Sequence, residues 1–447
     1  MSQTTEIGTP VPEFNLRKHL SGDALIQLLH DEFQQLSEPN APANSVSLTD
    51  ALLSGFALFA LKDPSLLAFD DRRHDDNLRS IYHIQHVPSD TYLRTLLDDV
   101  EPEKLRPAFR AVFRQVQRGK ALEPMVFHNG CYLLALDGTE YFSSTKIHCP
   151  ACLQRKSKSG QITYYHQMLS ASIVHPDKRE VIPLMPEPII KQDGQVKNDC
   201  ERNAAKRFIE KFRKDHPHLQ VIVIEDGLSS NAPHIEELKR NDMHFILGVK
   251  EGDHKFLFQH VENEFQQGRG HTLTLEDREK NVIHHFRYLI DVPLNEANPD
   301  LLVHFLEYWE ISDKGTKHFS WVTDLSLTED TVYTIMRGGR TRWKIENETF
   351  NTLKNQGYHF EHNFGHGEKN LSVVFALLMM LAFLVDQVQQ LCDPLFRAAW
   401  EKAGSKRQLW EDLRTFFKAY VLTSLRALYE ALIAGIKQQP ILVNDTS

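Results

Sequence analysis

Three strand-like runs, a helix and a fourth strand follow one another between residues 131 and 226, and that order leaves very few sheet topologies open. The first run, CYLLALDGTEYF from Cys131, is mostly apolar yet carries Asp137 in its middle. Two further runs, over 164–175 and 180–189, precede a helix over about 203–214 and a last run, LQVIVIED, that ends on Asp226. In a mixed sheet with this β-β-β-α-β order, the helical crossover returns the chain beside its first strand, so the first and fourth strands lie parallel and adjacent. Asp137 and Asp226 then meet. Two carboxylates held close together repel unless they share a proton or a divalent cation, and for hard oxygen ligands magnesium is the first candidate. Taken singly, each Asp could instead cap a turn.

From residue 242 to about 327 the alternation gives way to six runs read as strands: HFILGVK, KFLFQHV, HTLTLED, VIHHFRYLIDV, LVHFLEYWEI and KHFSWVTDL. They suggest an inserted β-rich subdomain, whose Trp309 and Trp321 could stack on an unpaired base or simply fill a core. Helix returns over 328–355, where Arg337, Arg340, Arg342 and Lys344 precede Glu346 with no acid between them. Arg342, Glu346 and Phe350 follow at four-residue steps, so guanidinium and carboxylate share a face beside an apolar ridge, with Lys354 in reach of that side. An ion pair on a solvated helix is the plainer alternative, and Glu348 points away.

The segment before the sheet reads as helical. A Pro- and Ser-rich linker is expected over 37–47, then helical patterns over 50–62, 76–84 and from Ser89. The last two have the spacing of a helix-turn-helix, which plain helical hairpins share. In the next helix, where Pro107 suits the first turn, Arg106, Arg110, Arg114 and Arg118 recur every four residues, largely opposite Phe109, Val112, Phe113 and Val116. That helix could dock by its apolar face and offer arginines to phosphates, unless acids from neighbouring helices cover the stripe.

Composition sets bounds. Five Cys in 447 residues exclude a disulfide-stapled fold and fit a reducing compartment, and residues 1–12 lack a basic-then-apolar leader, so the chain is expected in the cytosol with no membrane partner. The longest uncharged apolar run, over 371–385, is roughly 15 residues against the ~20 that span a bilayer, and reads as a buried helix. A net charge of -9 argues weakly against a nucleic-acid partner, but net charge hides local basic stripes.

Asp137 in LALDGTEYFSS, Asp226 in VIVIEDGLSSNAPHI and Glu346 in RTRWKIENETFNTLK together resemble the DDE set of bacterial insertion-sequence transposases, over about 137–385. The similarity is to the cut-and-paste subgroup whose ribonuclease H-like domain carries a β-rich insertion between the second Asp and the Glu. Its signature is Tyr-x2-Arg-x3-Glu-x6-Lys; here Arg342 and Glu346 match, Gly339 stands at the Tyr position, and Lys354 falls one residue late. The resemblance implies two Mg2+ per active site, with Mn2+ as substitute, held by Asp137, Asp226 and Glu346. It also implies phosphate binding by Arg342, cleavage at transposon ends, strand transfer into target DNA, and a homodimer in the DNA complex of a bacterial, nucleoid-associated protein. Arg337, Arg340, Lys354, Arg110, Arg114 and Arg118 are the further DNA-binding candidates. Two alternatives stay open: a transposase-derived DNA-binding protein without catalysis, and a ribonuclease H-like nuclease that cuts without joining.

Outside that signature lie His148, Cys149 and Cys152 in KIHCPACLQRK, with His166 and Cys200 further on. One CxxC supplies half of a tetrahedral zinc site. In the expected topology Cys149, Cys152 and Cys200 fall at one edge of the sheet, with His148 or His166 as fourth ligand to a structural Zn2+; small buried thiols are the alternative. The expected architecture is thus α/β: an N-terminal helical, DNA-binding domain (1–125), a ribonuclease H-like mixed sheet flanked by helices (126–241 and 328–392), the β-rich insertion (242–327), and a C-terminal helical region (393–447).

Overall fold

The computed structural model describes residues 17–36, 46–191 and 200–435; of the linker expected over 37–47, only 46 and 47 lie among them. The chain divides into two compact units, residues 1–121 with 353–447, and residues 122–352.

The first unit is helical. Helix Leu48–Ala60 is buried along nearly its whole length, so it packs on every side rather than along one stripe. It lies against Leu371–Cys392, the one helix among the described residues long and apolar enough to cross a bilayer; that helix is instead wholly buried within the protein. The run expected over 371–385 as a buried helix thus continues through Cys392. Helices Asp76–Tyr82, Asp90–Asp98 and Arg106–Arg118 stand where the sequence placed helical patterns, and Ser89 caps the second of them by accepting from the Tyr92 N–H. The division expected from the sequence is different here. It gives 353–392 to the catalytic domain and 393–447 to a separate region, whereas both belong with the N-terminal helices.

The second unit is built on one mixed sheet of twelve strands: β1 (Val126–His128), β2 (Cys131–Ser144), β3 (Leu153–Lys156), β4 (Ile162–Val174), β5 (Ile182–Pro183), β6 (Glu187–Ile189), β7 (Val221–Glu225), β8 (His244–Gly248), β9 (His271–Asp277), β10 (Val282–Asn295), β11 (Asn298–Ser312) and β12 (Gly315–Thr323). The order is β3-β4-β2-β7-β8-β12-β11-β10-β9, with β1 on β2, and β5 and β6 on β4. β2 and β4 are antiparallel, β2 and β7 parallel, and β7 and β8 parallel, which is the expected ribonuclease H-like core with helices on its flanks. The crossover helix Glu201–Asp215 joins the two halves.

Three local expectations change. The run over 180–189 is two short strands, because Pro183, Pro186 and Pro188 remove the donors a continuous edge strand needs. KFLFQHV is helix, Lys255–Gln266, with Leu257 and Val261 buried one turn apart; an i,i+4 pair outweighed its aromatic content. HFILGVK is β8, a core strand rather than part of the insertion. The inserted strands β9 to β12 continue the same sheet, since β12 pairs antiparallel with β8 through Trp321 to Gly248, Val322 to Leu247 and Thr323 to Ile246.

The helix expected over 328–355 is interrupted as well. Val332–Arg340 ends at Thr341, whose hydroxyl donates to the Arg337 carbonyl at 2.7 Å, after the weak helix formers Gly338 and Gly339. The chain then winds as a π-helix over Ile345–Phe350. Such widened turns are rare and concentrate at functional sites. This one carries Glu346.

Candidate active site

The ladder between β2 and β7 pairs Tyr132 with Val221 and runs in step to Ala135 with Ile224. Continued by two residues, that register sets Asp137 beside Asp226, and neighbouring strands are about 4.8 Å apart. Asp226 stands just past the end of β7, where its Oδ1 accepts the Leu228 N–H at 3.0 Å, so it also caps the turn. Arg342 donates to Asp137 Oδ2 at 3.3 Å and pairs with Glu346 at 2.5 Å, one guanidinium thereby spanning two carboxylates. The Asp137 carboxyl is pushed up to about 7: burial is the largest cause, Arg342 opposes it, and the charges of Glu346, Asp226 and Glu201 raise it further. Of the three carboxylates singled out by the sequence, Glu346 and Asp226 thus both act electrostatically on Asp137.

A fourth acid, Glu201, is not singled out by the sequence pattern. It opens the crossover helix Glu201–Asp215, accepts from Gln167 Nε2, and packs so closely on Gly138 that a Cβ there would collide with its Oε1. Its carboxyl is raised by burial, against the Gln167 hydrogen bond and with Asp226 and Glu225 adding to the rise. A crossover helix starts at the end of the sheet where its parallel strands finish, so an acid in its first turn was the available signal. Glu225, next to Asp226, is buried and held by His234 Nε2 at 2.5 Å and by the Ser229 hydroxyl at 3.1 Å.

Beside Asp226 opens a cavity of 570 Å³ whose lining includes Glu225, Arg340, Arg342, Trp321 and Trp343. Trp343 is 44% exposed. Trp321 is buried and stacks on Phe319 at 5.8 Å, while Trp309 stacks on His318 at 4.8 Å. The glycine at the signature's Tyr position has a steric cause: a Cβ on Gly339 would meet Trp321 Nε1 at 2.5 Å, so the indole fills the space a side chain there would need.

The other basic candidates are dispersed. Arg340 pairs with Glu310 and lies over the Phe319 ring at 4.8 Å; Arg337 pairs with Asp177; Lys354 pairs with Glu361 at 2.8 Å. In the helical unit Arg106 is held by Glu103, and Glu32 of the helix Gly22–Gln34 feels the charges of Arg114 and Arg110. Acid thus lies near Arg106, Arg110 and Arg114, although Arg114 is exposed, as is Arg118 at the end of the stripe. Of the zinc ligands expected from the sequence, Cys149, Cys152 and His166 are brought together. Cys200 is exposed at the start of the crossover helix and His148 packs on Tyr164 at 4.3 Å, and neither joins that group among the described residues.

Asp137 on β2, Asp226 just past the end of the neighbouring parallel strand β7, and Glu346 on a later helical turn are the carboxylates of the candidate site. Residues 148–384 match the family model described as transposase DDE domain, more than half of the chain, and the chain belongs to that family. The match begins after Asp137 and includes Asp226 and Glu346. No curated protein matches the sequence. Among solved structures, the chain is similar to the piggyBac transposase of a cryo-EM synaptic complex with hairpin DNA, at 12% identity over 96% of this chain and 85% of that one, with a TM-score of 0.39.

Proposed function

We propose that the chain is a DNA transposase that cleaves phosphodiesters at the ends of its element and joins the freed 3′-hydroxyl to target DNA. The observation that carries this reading is the convergence on Asp137, which Arg342 bridges to Glu346, which the strand register sets beside Asp226, and whose carboxyl is raised to about 7 by burial and by the charges of both acids. A cation relieves such repulsion, and an all-oxygen carboxylate set suits a hard one. The three would hold two Mg2+, with Mn2+ as substitute. Bound there, the metal supplies Lewis acidity to the phosphoryl group and an activated nucleophilic oxygen.

The rest falls to the chain's own side chains. Arg342, whose planar fork already spans Asp137 and Glu346, binds the scissile phosphate bidentately and holds it in line with the carboxylates. Trp343 offers an exposed face beside Asp226 on which a nucleotide can stack. Arg114 and Arg118, exposed on the helix Arg106–Arg118, supply phosphate contacts that position the DNA without reading its sequence. Joining both ends of an element needs two such sites, hence a homodimer in the DNA complex.

The test is incubation of the purified protein with labelled DNA carrying the ends that flank its own reading frame, with Mg2+ and without. Asp137→Asn, Asp226→Asn and Glu346→Gln are each expected to lower cleavage by at least about a thousandfold while end binding changes less than about threefold, because a lost metal ligand acts on the chemical step. Near wild-type cleavage by any variant removes that residue from the site. Binding without cleavage in either Mg2+ or Mn2+ favours the non-catalytic DNA-binding alternative, and cleavage without joining favours a nuclease.

A further inference from the structure

The cysteine and histidine cluster lies in the hairpin that joins β2 to β4, and the proposed chemistry makes no use of it. Cys149 Sγ and Cys152 Sγ are 3.7 Å apart, and His166 Nε2 is 3.3 Å from each. A disulfide would need about 2.05 Å between the sulfurs. A tetrahedral zinc ion, with Zn–S of about 2.3 Å and Zn–N of about 2.0 Å, sets its sulfurs ~3.8 Å apart and each sulfur ~3.5 Å from the nitrogen. The observed triangle has those proportions. All three side chains are buried, Cys149 at 8%, Cys152 at 0% and His166 at 1% exposure.

The neighbourhood fixes the three donors. Cys152 N–H donates to the Cys149 carbonyl at 3.1 Å and Cys149 N–H to Cys152 Sγ at 3.3 Å, so the CPAC turn is closed on itself. His166, in β4, is stacked on Tyr141 of β2 at 5.6 Å, which aims its ring at the turn. Just beyond Cys152, β3 pairs with β4 from Leu153 with Tyr165 to Lys156 with Ile162. The tip over 154–162 is exposed and carries Arg155, Lys156 and Lys158.

We propose that Cys149, Cys152 and His166 bind a structural zinc ion that pins the turn before β3 to β4 and so holds a basic hairpin in place. Binding replaces the two thiol protons, which pass to solvent, and leaves one coordination position for a further donor. Its function is to order a cationic tip, which elsewhere in a small two-stranded hairpin would have little core to hold it.

The experiment uses the full chain. Elemental analysis after expression in zinc-supplemented medium is expected to find one zinc per chain, and Co2+ added to metal-free protein is expected to give the charge-transfer absorption of two thiolates. Cys152→Ser and His166→Ala are expected to lose the metal, while Cys200→Ser keeps it. Chelation is expected to speed tryptic cutting at Arg155, Lys156 and Lys158, with zinc restoring resistance. The proposal is overturned if no zinc is retained and cobalt gives no thiolate band, or if Cys200→Ser abolishes binding. Should the variants misfold, the cobalt spectrum of the unaltered protein still decides. Metal content and the spectrum do not depend on DNA cleavage, so this proposal and the catalytic one fail separately.

Discussion

Lys62 and Asp386 form an ion pair inside the helical unit, where Lys62 is 1% exposed. The ammonium also donates to the Ala60 carbonyl at 2.9 Å and lies over the Trp410 ring at 4.0 Å, and the Tyr358 hydroxyl donates to Asp386 at 2.5 Å. Burial lowers the Lys62 ammonium and raises the Tyr358 hydroxyl, so each depends on its partner to remain in place. Asp386→Asn is expected to cost about 3–5 kcal/mol in chemical denaturation, because a buried cation loses its counter-charge. Replacing Lys62, Asp386 and Tyr358 together by Met, Leu and Phe should recover most of that, since no polar group is then stranded; a triple variant as unstable as the single one refutes the account. None of this was legible in the sequence, where Lys62 and Asp386 lie far apart and a Lys after an apolar helix reads as its solvated end. The carboxylate cluster was more readable. A charge inside the apolar run of β2 and another closing β7 stand out from their surroundings, whereas Glu201 is one of many acids in first turns of helices, where they are ordinary.

At the scale of elements, the longest helix is set at its start by one side chain from another helix. Asp98, which ends Asp90–Asp98, accepts the backbone N–H groups of Glu368 at 2.8 Å and of Lys369, Asn370 and Leu371 at 3.0 Å, the turn that opens Leu371–Cys392. Burial raises its carboxyl, but the four backbone donors outweigh burial and hold it below the usual range. A depressed folded pKa gives stability that is complete above the unfolded value of about 3.9 and is lost as pH falls through the folded one. Asp98→Asn should therefore flatten the acid limb of the stability profile below about pH 4 while leaving the slope near neutrality unchanged; an identical acid limb would assign that limb to other groups. The basic helix makes a second prediction. Arg114→Glu with Arg118→Glu should weaken DNA binding and reduce the salt slope by about 0.9 for each phosphate no longer neutralised, and an unchanged slope returns the helix to a solvated face. Strand and helix types were mostly visible from periodicity. What periodicity missed was local: prolines splitting β5 from β6, the short helix Lys255–Gln266, and the π-helix at Ile345–Phe350, which depends on tertiary packing such as Thr349 against Ser172 at 3.4 Å.

For the whole molecule, the pairing of β2 with β7 could be read from the sequence because a crossover helix returns the chain beside its first strand, but the continuation of the same sheet through β8 and β12 to β9, and the division into units, could not. The core of the helical unit is completed by chain segments that precede and follow the sheet-bearing unit in sequence, and no boundary signal in a linear pattern reports such a closure. Cutting the chain after residue 392, where the sequence suggested a separable region, should thus uncover buried faces of helices Gly22–Gln34 and Leu371–Cys392. The expected result is insoluble or protease-sensitive protein; a truncated chain with an unaltered melting profile would show the last helices to be dispensable. The same interleaving has a consequence in time. Helix Leu48–Ala60 leaves the ribosome more than three hundred residues before Leu371–Cys392 exists to cover it, and at about 5–20 residues per second that interval is roughly 15–60 s. Throughout it the nascent chain presents an oily segment whose one charge is Asp50, while the sheet behind it is already able to fold, so the earliest helices translated are among the last to reach their native neighbours.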